Sequence, residues 1–153
     1  MSSKHMIFIP AGTGEQAKVL GSIHTNKVTP ADTGGAFLAL EISVAPQCGP
    51  PLHTHAEDAE FFYVLEGEIT FTTPEMEVRA GVGDFCYLPV GGYHGFQNHG
   101  DSPARALVMI TPGLDAHRFF QDLDRELDGA VHDPRIGTIA TRNRVTLAAL
   151  ETV

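Results

Sequence analysis

The sequence predicts an all-β fold, an antiparallel sandwich or barrel, closed off by one or two helices. Three observations predict it. Sixteen glycines and ten prolines in 153 residues cut the chain into short pieces from Ala11 to Gly113. The pieces between them are aromatic and β-branched, the composition of strands bounded by turns. After Gly113 the apolar spacing changes from strand-like to helical.

The elements follow in order. "AFLALEISV" (Ala36–Val44) alternates at its end, and "EFFYVL" (Glu60–Leu65) is a run of aromatic and branched residues. Glu66-Gly67 forms a hairpin turn into "EITFTT", and Pro74 turns the chain into "EMEVRA". "DFCYLP" (Asp84–Pro89), "YHGFQN" (Tyr93–Asn98) and "ARALVMIT" (Ala104–Thr111) complete the set. In Gly113–Leu127, Phe119, Phe120, Leu123 and Leu127 recur at helical spacing, so an amphipathic helix should dock on the sheets. Asp133–Asn143 reads as a second short helix, with Asp133 as cap and Pro134 in the first turn. With no internal repeat, the chain is expected to be one domain over 1–153, its barrel at about 17–112 and a helical extension at 113–153.

Composition narrows the partners. A net charge of -9 argues against nucleic acid and against an anionic membrane surface. No apolar run approaches a bilayer span, and "MSSKHMIFIP" lacks the long apolar core of a secretory leader. Two cysteines, Cys48 and Cys86, make no disulfide framework, so a reducing, cytoplasmic setting is expected.

The chemistry concentrates in "HTHAEDAE". His53 and His55 are two apart, so on a strand both rings share one face. His94 lies on another predicted strand, after a "PVGGY" turn, and a closed barrel could bring it to the same point. Three imidazoles converging from separate elements are a metal-binding pattern. His5, His24, His99, His117 and His132 carry no such pattern and read as ordinary surface or core residues. The acids are ambiguous on geometry. Strict alternation puts Glu57 on the histidine face, whereas a bulge at "AED" restarts the strand at Glu60, on the face of Phe62 and Val64. Asp58 reads as a solvated loop acid.

The longer spacing resembles the cupin superfamily. That family's motifs read G-x5-HxH-x3,4-E-x6-G and G-x5-PxG-x2-H-x3-N. Gly83, Pro89, Gly91, His94 and Asn98 match the second throughout, and His53, His55, Glu60 and Gly67 match the first. Only the leading glycine departs, since Gly49 stands too close to His53. The flanking strands are similar to small single-domain cupins of the quercetin-dioxygenase-like group. The resemblance implies a double-stranded β-helix, the cupin jelly-roll barrel, with His53, His55, Glu60 and His94 as ligands. It selects Glu60 over Glu57. One divalent transition metal (Fe, Mn, Ni, Cu, Co or Zn) would suit three neutral imidazoles and a carboxylate.

The expected function is O2-dependent dioxygenation of a small phenolic or enediol substrate, with Glu60 also the catalytic proton acceptor. The alternatives are a non-redox isomerase, polyketide-type cyclase, lyase or decarboxylase, and a small-molecule binding module without turnover. Glu41, Phe62, Phe85 (or Tyr87), Phe96 and Met109 are the candidate pocket residues. A homodimer is expected, with "KHMIFIP" adding to a neighbour's sheet.

Overall fold

The structure, a computed structural model, describes residues 4–148. The eleven strands are β1 (Glu15–Val19), β2 (Ser22–Val28), β3 (Leu38–Val44), β4 (His53–His55), β5 (Ala59–Glu66), β6 (Ile69–Thr72), β7 (Glu77–Ala80), β8 (Phe85–Leu88), β9 (Gly95–Gln97), β10 (Ala104–Thr111) and β11 (Val145–Leu147). Two helices, α1 (Leu114–Leu127) and α2 (Ile136–Arg142), lie between β10 and β11. All strand pairings among the described residues are antiparallel. They build a six-stranded sheet in the order β1-β2-β3-β10-β5-β8, a three-stranded sheet β7-β6-β9 and a two-stranded pair β11-β4. This is the all-β jelly-roll barrel with two helices that the sequence predicts.

Alternation sets what faces inward. On β3, Leu38, Leu40, Ile42 and Val44 are buried, and on β10 so are Ala104, Ala106, Val108 and Ile110. Together with Phe62, Val64, Ile69, Phe71 and Phe96 they fill the barrel. Burying each large apolar side chain contributes roughly 1.5–3 kcal/mol. A second cluster joins α1, α2, β1 and β11 through Val19, Phe119, Leu123, Ile139 and Val145. Phe120 packs against both clusters, so α1 roofs one end of the barrel.

The C-terminal segment is not purely helical. The expected helix at Asp133–Asn143 shortens to Ile136–Arg142, because the Asp133 carboxylate accepts from the Arg135 amide in a turn before it. The chain then returns as β11 and pairs with β4, Val145 opposite His55 and Leu147 opposite His53. Residues 149–153 of the expected extension lie outside the described residues. At the other end, residues 4–10 form no strand, and Met6 and Phe8 are exposed.

Asp58 overturns its reading as a solvated acid. It is 2% exposed, and its two carboxylate oxygens accept from the backbone amides of Gly113 (2.9 Å) and Ala116 (3.0 Å). These amides open α1, whose own N-cap residue, Gly113, has no side chain to cap with. A carboxylate there satisfies orphan donors and meets the positive end of the helix dipole. The same glycine admits α1 close to β3, since a Cβ on it would stand 2.8 Å from the Leu38 Cβ. Asp58→Ala should therefore lower stability by about 2–3 kcal/mol in urea unfolding, with Asp58→Asn recovering part of it. A neutral Asp58→Ala would show that packing alone holds the roof.

Candidate metal centre

Backbone pairing brings the three histidines together. The His53 amide donates to the His94 carbonyl (2.8 Å), and the His94 amide donates to the His53 carbonyl (2.9 Å). A reciprocal antiparallel pair puts both side chains on one face. His55 joins them by the two-residue period of β4, and the Gly91 amide ties the turn before His94 to the His55 carbonyl (3.2 Å). Two glycines permit the approach. A Cβ on Gly49 would stand 1.9 Å from the Phe96 carbonyl oxygen, and one on Gly95 would stand 3.0 Å from that of Pro50. Gly49, out of step with the motif, is thus needed for close contact between the segments that carry the ligands. Asn98, 2% exposed, holds the following turn by donating to the carbonyls of Val44 and Ser102.

Candidate ligand atoms of His53, His55 and His94 all lie within 4.8 Å of one another, and all three residues are buried. The His55 and His94 rings are nearly parallel, 18° apart with centroids at 5.8 Å. His53 has its tautomer set: the Pro51 carbonyl, 2.8 Å from Nδ1, can only accept, so Nδ1 carries the hydrogen and Nε2 keeps a lone pair.

Glu60 enters from β5, 4% exposed, on the same inward face as Phe62 and Val64. The loop 56–58 breaks the alternation between β4 and β5, so Glu60 rather than Glu57 faces the histidines. Glu57 instead pairs with Arg144 at the surface (3.2 Å). The Glu60 oxygens lie 3.2 Å from His55 Nε2 and 3.2 Å from His94 Nε2. Neither contact has hydrogen-bond alignment, and both ring nitrogens stay enclosed without a partner. Buried polar atoms are rarely left so. Unpaired imidazole nitrogens beside a carboxylate are the donor set of a divalent first-row metal, and the residues fit one.

The electrostatics of His53 and Glu60 agree with that fit. Burial, then the neighbouring His94 and His55, pushes His53 down to about 4, which keeps it neutral. Burial opposes ionisation of Glu60 too, but His55 and His94 outweigh it and hold the carboxylate well below its ordinary range. Burial likewise disfavours the imidazolium of His55, yet Glu60, with Asp58 and Asp115 behind it, raises its pKa. An ionised carboxylate among imidazoles is the state in which such a set binds a cation.

A cavity of about 50 Å³ opens over the cluster, lined by His53, His55, Glu60, Phe62, Phe96 and, from α1, Phe119 and Phe120. Leu20 and the Pro50-Pro51 step separate it from an open groove beside α2, where Cys48 lies. The other pocket candidates are corrected by register. Phe61 pairs with Tyr87 and Tyr63 with Phe85, so Phe85 and Tyr87 share the outer face and are 63% and 53% exposed. Met109, opposite Phe61, also faces out. Glu41 accepts from Arg105 Nε at 2.8 Å on the outer face of β3 and β10. Sequence reasoning missed His24. Ser22, His24 and Asn26 are the buried row of β2 while Ile23 is 47% exposed, and Ser22 and His24 line the cavity. The signal was a strand whose inward row is polar.

Comparison with known proteins agrees with this geometry. Residues 40–110 match the family Cupin_2, a cupin domain. Quercetin 2,3-dioxygenase of Bacillus subtilis (strain 168) is 27% identical over 125 residues, 80% of this chain but 36% of that protein. The chain spans between 36% and 62% of the length of the curated relatives it matches. Among solved structures, the polyketide cyclase RemF from Streptomyces resistomycificus superposes with a TM-score of 0.62 at 25% identity, over 69% of this chain and 79% of that one. A cupin-superfamily sugar phosphate isomerase from Silicibacter pomeroyi superposes with a TM-score of 0.51 at 30% identity, over 60% and 59%.

The buried histidines make stability depend on acid. Burial, partly offset by Glu60, pushes His24 down to about 4 from its ordinary 6.5. Between those values the unfolded chain binds more protons, so stability falls as pH drops through this window, by on the order of 3 kcal/mol for this residue at pH 4. In the metal-free chain, urea unfolding of His24→Phe against wild type should show a difference that moves in favour of the variant below pH 6.5. A difference constant with pH would show that folding leaves the His24 pKa unshifted.

Proposed function

This chain belongs to the cupin superfamily, and on that premise we propose a metal-dependent enzyme, an O2-dependent dioxygenase, acting on a small substrate with two adjacent oxygens. The observation that carries the reading is Glu60, an ionised carboxylate 3.2 Å from two unpaired imidazole nitrogens, at the floor of an apolar cavity. His53, His55, His94 and Glu60 would hold a divalent metal, which supplies Lewis acidity and, if redox-active, electrons for O2. With three neutral rings and one carboxylate, a divalent ion leaves one net positive charge in a buried site. A substrate bound as a monoanion neutralises it. Glu60 would take the hydroxyl proton.

Cavity size sorts the substrates. About 50 Å³ is room for about four waters. That suits an enediol or α-hydroxycarbonyl fragment, and a single phenolic ring would need α1 to give way.

A second reading, Lewis-acid isomerisation, cyclisation or decarboxylation, is supported by the same placement of Glu60, because proton transfer between adjacent carbons needs only a base and a polarised carbonyl. The likeness to RemF and to the sugar phosphate isomerase agrees with it. A homodimer is supported by the outer face of β10, β5 and β8. There Leu107, Met109, Tyr63, Phe85 and Tyr87 are exposed, beside the unpaired edge of β8. Free thiols at Cys48 and Cys86 suit a reducing compartment such as the cytoplasm. Among the described residues no helix is long and apolar enough to cross a membrane.

Elemental analysis joined to O2 uptake tests the reading. One divalent metal per chain is expected, lost in His94→Ala. With Fe(II) loaded, small enediols should drive O2 uptake, and Glu60→Gln should lower it by about 10²–10⁴-fold with some metal retained. Full anaerobic turnover would transfer the assignment to Lewis-acid chemistry. Tight ligand binding without any product would make the chain a binding module. Sedimentation of Phe85→Glu/Tyr87→Glu should give a monomer where wild type gives a dimer, and a monomeric wild type would end the dimer proposal.

A further inference from the structure

The β2 strand is built inside out. Its inward row is Ser22, His24 and Asn26, each under 10% exposed, and its apolar Ile23 faces solvent. A half-buried strand ordinarily does the reverse. The inward polar row costs desolvation that packing alone does not return. Its centre is the clearest case. His24 is 6% exposed and lines the cavity above the metal cluster, and its Nδ1 is enclosed with no hydrogen-bond partner. The Phe120 ring meets His24 edge to face at 4.4 Å and 82°, which holds the imidazole in place without satisfying its nitrogen. Ser22 and His24 are the polar side chains of this cavity outside the metal cluster.

We propose that His24 is the second recognition group of the cavity, hydrogen-bonding a hydroxyl on the far end of a small monoanionic ligand whose adjacent oxygens face the His53, His55, His94 and Glu60 cluster. The inference rests on the metal-centre reading above and adds the ligand's shape: two vicinal oxygens at one end, a further hydroxyl at the other. The unpartnered Nδ1 of a neutral imidazole either donates or accepts according to its tautomer, and a hydroxyl can complement it in both cases. Burial keeps His24 in that neutral form at ordinary pH. A site built around a buried polar atom discriminates strongly against an analogue lacking the matching hydroxyl, because the atom is then left unpaired. His24 is accordingly a positioning and specificity residue. Proton transfer stays with Glu60.

Two hydroxy acids of nearly equal size test this on the zinc-loaded chain, where no redox turnover intervenes. Lactate and glycerate share the vicinal carboxylate and hydroxyl, and glycerate carries a hydroxyl where lactate has hydrogen. By calorimetry, wild type should bind one enantiomer of glycerate about tenfold or more tighter than the matching lactate. In His24→Phe, which keeps a ring against Phe120, that preference should fall to within about twofold. Zinc content should stay the same in both proteins, and the melting temperature of the variant should hold or rise, since a buried unpaired nitrogen is gone. His24→Gln, which restores a donor and an acceptor, should recover part of the preference. A preference absent from wild type, or intact in His24→Phe, overturns the inference while the metal centre stands. Failure of wild type to take up zinc at all overturns the metal centre, and this inference with it.

Discussion

The reciprocal backbone pair between His53 and His94 is the constraint on which the site depends. Two amides and two carbonyls, at 2.8 and 2.9 Å, join strands about forty residues apart in sequence. This fixes the side chains of both residues on one face. The pair needs close backbone approach, which explains why Gly49 and Gly95 stand where any Cβ would meet the opposite segment. β11 pairs along β4 and covers the remaining edge of the short "HTH" strand. A three-residue strand that would fray alone is thus held on both sides.

Desolvation turns this geometry into chemistry. In water three histidines and a glutamate would titrate near their ordinary values. Enclosed together, they separate: His53 is pushed toward neutrality and Glu60 toward the carboxylate. For His53, through burial, and for Glu60, through the neighbouring rings, the favoured protonation states are those a divalent metal requires of its ligands. The roof contributes to the same end. Asp58 anchors the first turn of α1, and α1 places Phe119 and Phe120 over the cluster, so one buried acid next to the ligand strand organises the enclosure above it.

The central strands, the first helix and the three converging histidines were legible in the sequence because each rests on local periodicity or fixed spacing. Glu60 is the instructive case. Parity alone favoured Glu57, and the motif spacing decided otherwise because loop 56–58 resets the face of the strand. The pocket wall was less legible. Phe85, Tyr87 and Met109 look like core residues, but the register of β5 with β8 and β10 turns them outward beside Phe61 and Tyr63. β1, β2 and β11 carry weak signals, being polar or very short, and took shape only through pairing. Asp58 was misread and the burial of His24 was left open for one reason: both are polar residues whose burial is decided by a partner distant in sequence.

The sequence by itself determined the fold class and the histidines that converge at the centre, and its resemblance to the cupin motifs picked Glu60 from among the acids. These follow from side-chain period, turn residues and motif spacing, all properties of short stretches of chain. Tertiary structure alone decided the size of the cavity, the roof that closes it, the outward turn of half the aromatic candidates and the inward turn of His24. These depend on strand register and on the docking of α1, which join residues that no local pattern relates, and they set which ligand the cavity can admit.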